Sequence, residues 1–381
     1  MRAARYRHLA DARLVVCLGP GGVGKTTMSA ALALDAALAG RRVDVMTVDP
    51  APRLLDALGL AGEDGYEPAE VALDAASGRG GDAAAAAAPA WAARMARSRP
   101  STGRLRAMRL DPKRTFDAIV ARHAPSAAAR DAILDNRIYR NLSQALAGVS
   151  DYMAMERLLE LLDDAQNELV VLDTPPAADA IDFLDAPRRL LELLGSRAIT
   201  LLGGGARRGL GVMDFAARAV LSAFDKLTGL HLLSDVQGFV RGFDGMYAGF
   251  AERAARAQAL LSDPGTVVTV VTTAETERID QTIEFLGAIK RAGIKVGAVI
   301  VNRLMAELTI DRTVRYGAVL ARKIARAERE FAALRTREAR SIAQLREAIS
   351  PGITILGAAD LGFEPGTPAE LARIGASLGE L

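Results

Sequence analysis

Lys25, Thr26 and Thr27 stand directly behind a cluster of glycines in "GPGGVGKTT", residues 19–27. The spacing fits G-x-x-x-x-G-K-[ST], the pattern of a phosphate-binding loop. Gly19, Gly21, Gly22 and Gly24 let the backbone curl, so that successive N–H groups, that of Val23 among them, point at phosphate oxygens. A helix starting at the lysine adds unpaired N–H groups and the positive end of its dipole. In such a loop Lys25 neutralises the β- and γ-phosphates, the Thr26 hydroxyl ligates Mg²⁺, and Thr27 reaches the α-phosphate. Lys25 is thus a binding and a catalytic residue, and a nucleoside triphosphate with Mg²⁺ is the expected ligand. A plain glycine-rich turn would not require Gly-Lys-Thr at the helix start.

Two aspartates can complete this chemistry. Asp173 closes the apolar run "LVVLD", and Asp49 closes "VDVMTVD". In open α/β sheets, ligands sit outside the carboxyl ends of the strands. An apolar strand ending in aspartate beside a phosphate loop is the Walker B arrangement, whose carboxylate holds the Mg²⁺ shell through water. Asp173 takes that role, which leaves Asp49 to orient or polarise the attacking water. Either aspartate alone also reads as a helix N-cap. Beside a phosphate loop, function is the better reading.

The elements that must position these groups are apolar throughout instead of alternating: 13–19, 42–49, 168–174, 198–204, 266–273, 296–303 and 353–358. That is the signature of strands buried on both faces of a parallel sheet, and helical stretches separate them. The predicted fold is α/β: a P-loop NTPase with a mostly parallel sheet flanked by helices, plus an inserted helical subdomain. The core is expected at 1–61, 166–206 and 263–381. The helical subdomain is expected at 62–165 and 207–262, with a mobile Ala/Gly-rich loop near 76–103. In 310–350, Leu320, Ile324, Ala327, Phe331 and Leu334 step by four and three, Glu338 interrupts, and Ile342, Leu345 and Ile349 resume. This reads as a long helix or hairpin lying on the body of the protein.

The chain has 381 residues, a net charge of +2 and one cysteine, Cys17. The near-neutral balance argues against a nucleic-acid partner. The apolar setting of Cys17 predicts a buried thiol, and one cysteine can form neither an internal disulfide nor a cysteine zinc cluster. The apolar stretch near the start is too short for a signal peptide, and no run reaches the length of a membrane span. The expectation is a soluble, cytoplasmic protein.

Three segments, "GGVGKTT", "TVDPAPRLLDALG" and "VVLDTPPAADAIDFL", resemble the loop, switch I and switch II of the ArsA/Get3 group of P-loop ATPases, the anion-transporting ATPases. That group is related to the Min and Par ATPases and to the nitrogenase iron protein. "TFDAIVARHAP" through "DYMAMERLLELL" is similar to its bacterial branch. The resemblance implies Asp49 as the hydrolytic aspartate, Asp173 as the Walker B aspartate and Asn302, in "VIVNR", as an adenine contact. It also implies a nucleotide-gated dimer that binds or hands over a client. The departures are specific. Pro20 stands where the family carries a signature lysine that reaches the partner subunit's nucleotide. Ala178 and Asp179 replace a glycine and a histidine of switch II. With no Cys-x-x-Cys pair, neither a zinc-clasped dimer nor a three-thiolate arsenite site can be built.

The resulting expectation is an ATPase acting as a dimeric switch. It would work as a homodimer, slow in turnover, or as a heterodimer with a paralogue carrying the signature lysine. A hydrophobic client or a membrane partner is the expected target. The alternatives are a cytoplasmic ATPase subunit of a membrane transporter, or a slow-turnover nucleotide-binding regulator. Met95, Met108, Met153, Met155, Met213 and Met246 suit either an adaptable client groove or ordinary core packing, and core packing is the stronger reading.

Overall fold

The computed structural model describes residues 11–76, 103–137, 139–140, 147–175, 177–194, 246–306, 310, 314 and 316–381. The run "LVVCL" forms strand β1 (Leu14–Leu18), every residue buried. Its β-branched and leucine side chains have apolar neighbours on both faces, so no alternation is needed. β1 pairs in parallel with β5 (Leu169–Asp173) on one side and β6 (Thr266–Thr273) on the other. β2 (Arg42–Thr47), β7 (Val296–Leu304) and β8 (Thr354–Ala359) extend the parallel sheet, as does β4 (Arg104–Arg109). The short β3 (Ala69–Glu70) and β9 (Gly379–Glu380) pair antiparallel at the two edges. Among the described residues the order is β3-β4-β2-β5-β1-β6-β7-β8-β9. Mostly parallel and flanked by helices, the architecture matches the predicted α/β class.

Helix α1 (Lys25–Leu38) packs on this sheet through an alanine- and leucine-rich face that is almost wholly buried. Small residues let the helix approach closely. α2 (Arg53–Ala57) and α3 (Leu73–Ala76) are single turns on the same side of the core.

β4 was not expected. It lies within 62–165, the segment read from sequence as helical. Its charges hide it: Arg104, Arg106 and Arg109 break up the apolar positions, yet Leu105, Ala107 and Met108 are buried. Arg106 is tolerated because its guanidinium binds Asp44 of β2 through two bonds of 2.7 and 2.6 Å. Asp44 is fully buried, and such a carboxylate needs this compensation.

Two compact units result. One comprises Met1–Arg109, Asp164–Ile181 and Pro264–Leu381; the other comprises Leu110–Asp163 and Asp182–Asp263. The sheet unit therefore runs on to Arg109 instead of stopping at residue 61. In the second unit, α4 (Pro112–His123) is capped by Asp111 and α5 (Ala127–Leu134) by Ser126. α6 (Ala147–Asp163) and α8 (Tyr247–Leu260) complete its core around Phe116, Tyr139, Tyr152 and Phe250. α7 (Ala177–Leu194) has residues 177–181 in the sheet unit and 182–194 in the second. Met108, Met153, Met155 and Met246 are all buried and act as core packing. Met95, Met213, the expected strand at 198–204 and nearly all of the expected loop at 76–103 lie outside the described residues.

α9 (Thr276–Arg291) and α10 (Ala318–Ala348) finish the sheet unit together with α11 (Pro368–Ser377). α10 does not lie on the body along its length. Leu345 and Ser341 are buried, whereas Leu320 and Leu334 are 50% and 41% exposed. Glu338 marks the change: its carboxylate accepts the backbone N–H of Met305 at 3.1 and 3.3 Å. The residue that breaks the apolar seam is the one that anchors the helix. Among the described residues, no helix is long and apolar enough to cross a membrane.

Candidate functional site

The loop between β1 and α1 is shaped by its glycines. Gly19 has φ +149°, and a Cβ there would stand 2.2 Å from the carbonyl oxygen of Val271 on β6. Gly24 has φ +91°, and a Cβ there would stand 2.4 Å from Nδ2 of Asn302. Both positions demand glycine, for lack of space as much as for backbone conformation. Gly21 and Gly22 face the other way, and a Cβ on either meets nothing within 4 Å. The loop is packed hard against the sheet on one side and open on the other. Gly24 caps α1 without a side chain, so no side-chain oxygen competes for the first N–H groups of the helix.

Lys25 is only 8% exposed. Its Nζ donates to the carbonyls of Gly19 and Pro20, each at 3.0 Å. Burial lowers its pKa, opposed by the fields of Asp173 and Asp49. A buried ammonium held by two carbonyls, with no carboxylate in salt-bridge range among the described residues, suits an anion brought in from outside. Pro20 contributes that carbonyl and leaves the loop intact. Thr27 is half-buried on the first turn of α1.

Asp173 ends β5, as expected, and is buried. Its Oδ2 accepts from Thr26 Oγ1 at 2.8 Å and from Thr47 Oγ1 at 2.9 Å. Ser29 Oγ approaches Oδ1 at 3.4 Å. Burial raises the Asp173 pKa, while the bonds from Thr26 and Thr47 and the charge of Lys25 pull it down. Thr26 and Asp173 therefore sit together at the helix start. Mg²⁺ is commonly held by one or two protein ligands, with waters and phosphates supplying the rest. This pair fits that pattern, and no dedicated cage is needed. Among the described residues no three His, Cys, Asp or Glu side chains cluster as one.

Asp49 is not the last residue of its strand. β2 ends at Thr47; Val48 N–H makes the last ladder bond to β5, to the carbonyl of Asp173 at 3.0 Å, and Asp49 lies in the loop beyond it. The Asp49 N–H donates to Thr47 Oγ1 at 3.1 Å, and its Oδ1 accepts from Ala51 N–H at 2.9 Å. Asn302, on β7, is buried against the loop, its Nδ2 donating to the carbonyl of Val23 at 2.8 Å. Its Oδ1 accepts from Arg303 N–H at 2.9 Å. These two bonds use one N–H and one lone pair of the amide, which has a second of each.

The structure thus brings Lys25, Thr26 and Asp173 together, adds Asn302 behind the loop, and sets Asp49 just past a strand end. Sequence reading missed Thr47 and Ser29. Thr47 stands two residues before Asp49 on a strand that pairs with the one ending in Asp173, a juxtaposition visible only in the fold. Cys17 is buried beside this region, and burial pushes its thiol up to about 12, so it is an inert core group.

Comparison with known proteins agrees with the α/β fold. The family model described as "Anion-transporting ATPase" matches residues 12–330. An uncharacterized protein of Streptomyces coelicolor is 27% identical over 78% of this chain and 64% of its own length. The ATPase GET3 of Malassezia globosa is 26% identical over 57% of this chain and 55% of its own. The ATPase get3 of Neurospora crassa is 26% identical over 46% and 43%. The matches thus span less than two thirds of these relatives' lengths. With the family model covering most of the chain, this protein belongs to the ArsA family of anion-transporting P-loop ATPases.

Proposed function

We propose that the protein binds ATP with Mg²⁺ and hydrolyses it, acting as a nucleotide-gated dimeric switch whose client is unknown. The observation that carries this reading is the buried carboxylate of Asp173 holding the hydroxyl of Thr26 at the start of α1. Two residues distant in sequence meet at the helix start, the position at which a phosphate loop holds Mg²⁺. The N–H groups of the loop and of α1 bind the phosphates, and Lys25 exchanges a carbonyl for a phosphate oxygen. Thr26 and, through water, Asp173 would hold Mg²⁺, which would supply positive charge to the phosphates. Asp49 accepts a hydrogen bond from the attacking water and aligns it with the γ-phosphorus. Asn302 contacts the adenine with its remaining donor and acceptor.

Pro20 favours a second reading of the same site. No side chain at this position can carry a positive charge to a partner subunit's nucleotide. A homodimer then hydrolyses slowly, and a paralogue bearing lysine there supplies the charge in trans, as an arginine finger does. The test is turnover of the purified protein, alone and as Pro20→Lys. Slow turnover that rises about tenfold or more in the variant supports completion in trans. Brisk turnover unchanged by the substitution contradicts it.

A further inference from the structure

The Thr47 side chain ends β2 and is 1% exposed. A hydroxyl carries one proton and two lone pairs. The proton of Thr47 goes to Oδ2 of Asp173 at 2.9 Å. A lone pair accepts the N–H of Asp49 at 3.1 Å. The same Oδ2 takes the proton of Thr26 at 2.8 Å. An unbroken chain therefore runs from Thr26, through one carboxylate oxygen and one hydroxyl, to the backbone of Asp49. Asp49 in turn folds Oδ1 onto Ala51 N–H at 2.9 Å, so its side-chain direction is set by that backbone.

We propose that Thr47 is a positioning residue that couples the metal-side pair Thr26–Asp173 to the loop carrying Asp49. The proposal rests on Asp49 being the hydrolytic carboxylate. Anything that moves the Asp173 carboxylate, metal binding above all, alters the acceptor that orients the Thr47 hydroxyl. The hydroxyl is the side-chain link between that acceptor and the Asp49 backbone. Valine keeps the shape of threonine and removes the link. The Thr47→Val variant retains the backbone tether of Val48 N–H to the Asp173 carbonyl at 3.0 Å, so strand pairing survives.

The experiment compares single-turnover hydrolysis and Mg-ATP affinity in wild type, Thr47→Val, Thr47→Ser, Asp49→Asn and the Thr47→Val/Asp49→Asn double variant. Misplacing a catalytic group by about 1 Å can cost up to about a hundredfold in rate. Thr47→Val is expected to slow hydrolysis by about tenfold or more while affinity changes less than about threefold. Thr47→Ser, which keeps the hydroxyl, is expected to recover most of the rate. In the Asp49→Asn background, Thr47→Val should change the residual rate less than about twofold, since residues acting as a unit are not additive. Wild-type hydrolysis in Thr47→Val, with Asp49→Asn inactive, overturns the positioning role alone. An equal loss from Thr47→Val in both backgrounds also overturns it. Wild-type hydrolysis in Asp49→Asn overturns the assignment of Asp49 on which it stands.

Discussion

Asp49 and Asp173 are carboxylates at neighbouring strand ends in different surroundings. Asp173 is buried and takes hydroxyl protons from Thr26 and Thr47, while Asp49 folds onto its own loop. The pattern "GPGGVGKTT" made the loop and Asp173 readable from sequence, because both sit where a strand must end. Thr47 was not readable, since its role arises from the lateral pairing of β2 with β5, which no local window contains. Asn302 is a partial case. The strand-end asparagine was visible, but its bond to the Val23 carbonyl was not. That bond makes a specific prediction. Asn302→Ala should weaken inorganic tripolyphosphate as well as ATP, each by about threefold or more, since it loosens the loop itself. A calorimetric titration showing loss for ATP only would confine Asn302 to the base.

At the scale of elements, continuous apolar runs identified β1, β5, β6, β7 and β8, because strands covered on both faces carry no alternation. The same rule failed for β4, where three arginines interrupt the apolar run and one of them, Arg106, is neutralised by Asp44 across the sheet. It also overstated α10. The periodicity of Leu320 to Leu334 is as regular as that of a docked helix, but the packing stops at Glu338. Substitutions along this one helix should therefore differ. Leu345→Ala removes a buried side chain and should cost about 2–5 kcal/mol. Leu334→Gln should stay within about 0.5 kcal/mol. Urea denaturation of each variant checks the contrast; equal costs would mean that the outer seam is covered in solution.

Across the whole molecule, the phosphate loop, α1 and the strands around it form one unit built from three stretches of chain. A ligand that binds only this folded unit must stabilise it by mass action, about 2.7 kcal/mol at a hundredfold excess over Kd. Mg-ATP should therefore raise the midpoint of thermal unfolding. Lys25→Ala should abolish the rise, since it removes the buried ammonium that the loop carbonyls hold for the proposed phosphate site. A shift that persists in Lys25→Ala would place the nucleotide elsewhere. The family places the chain among P-loop ATPases, and Pro20 is its departure from the signature lysine of the resembling loop.

The most direct test is phosphate release by the Asp49→Asn variant under single-turnover conditions, with Mg-ATP affinity measured on the same preparation. The predicted result is affinity within about threefold of wild type and hydrolysis reduced about a hundredfold or more. Hydrolysis at the wild-type rate, with affinity intact, would contradict the account.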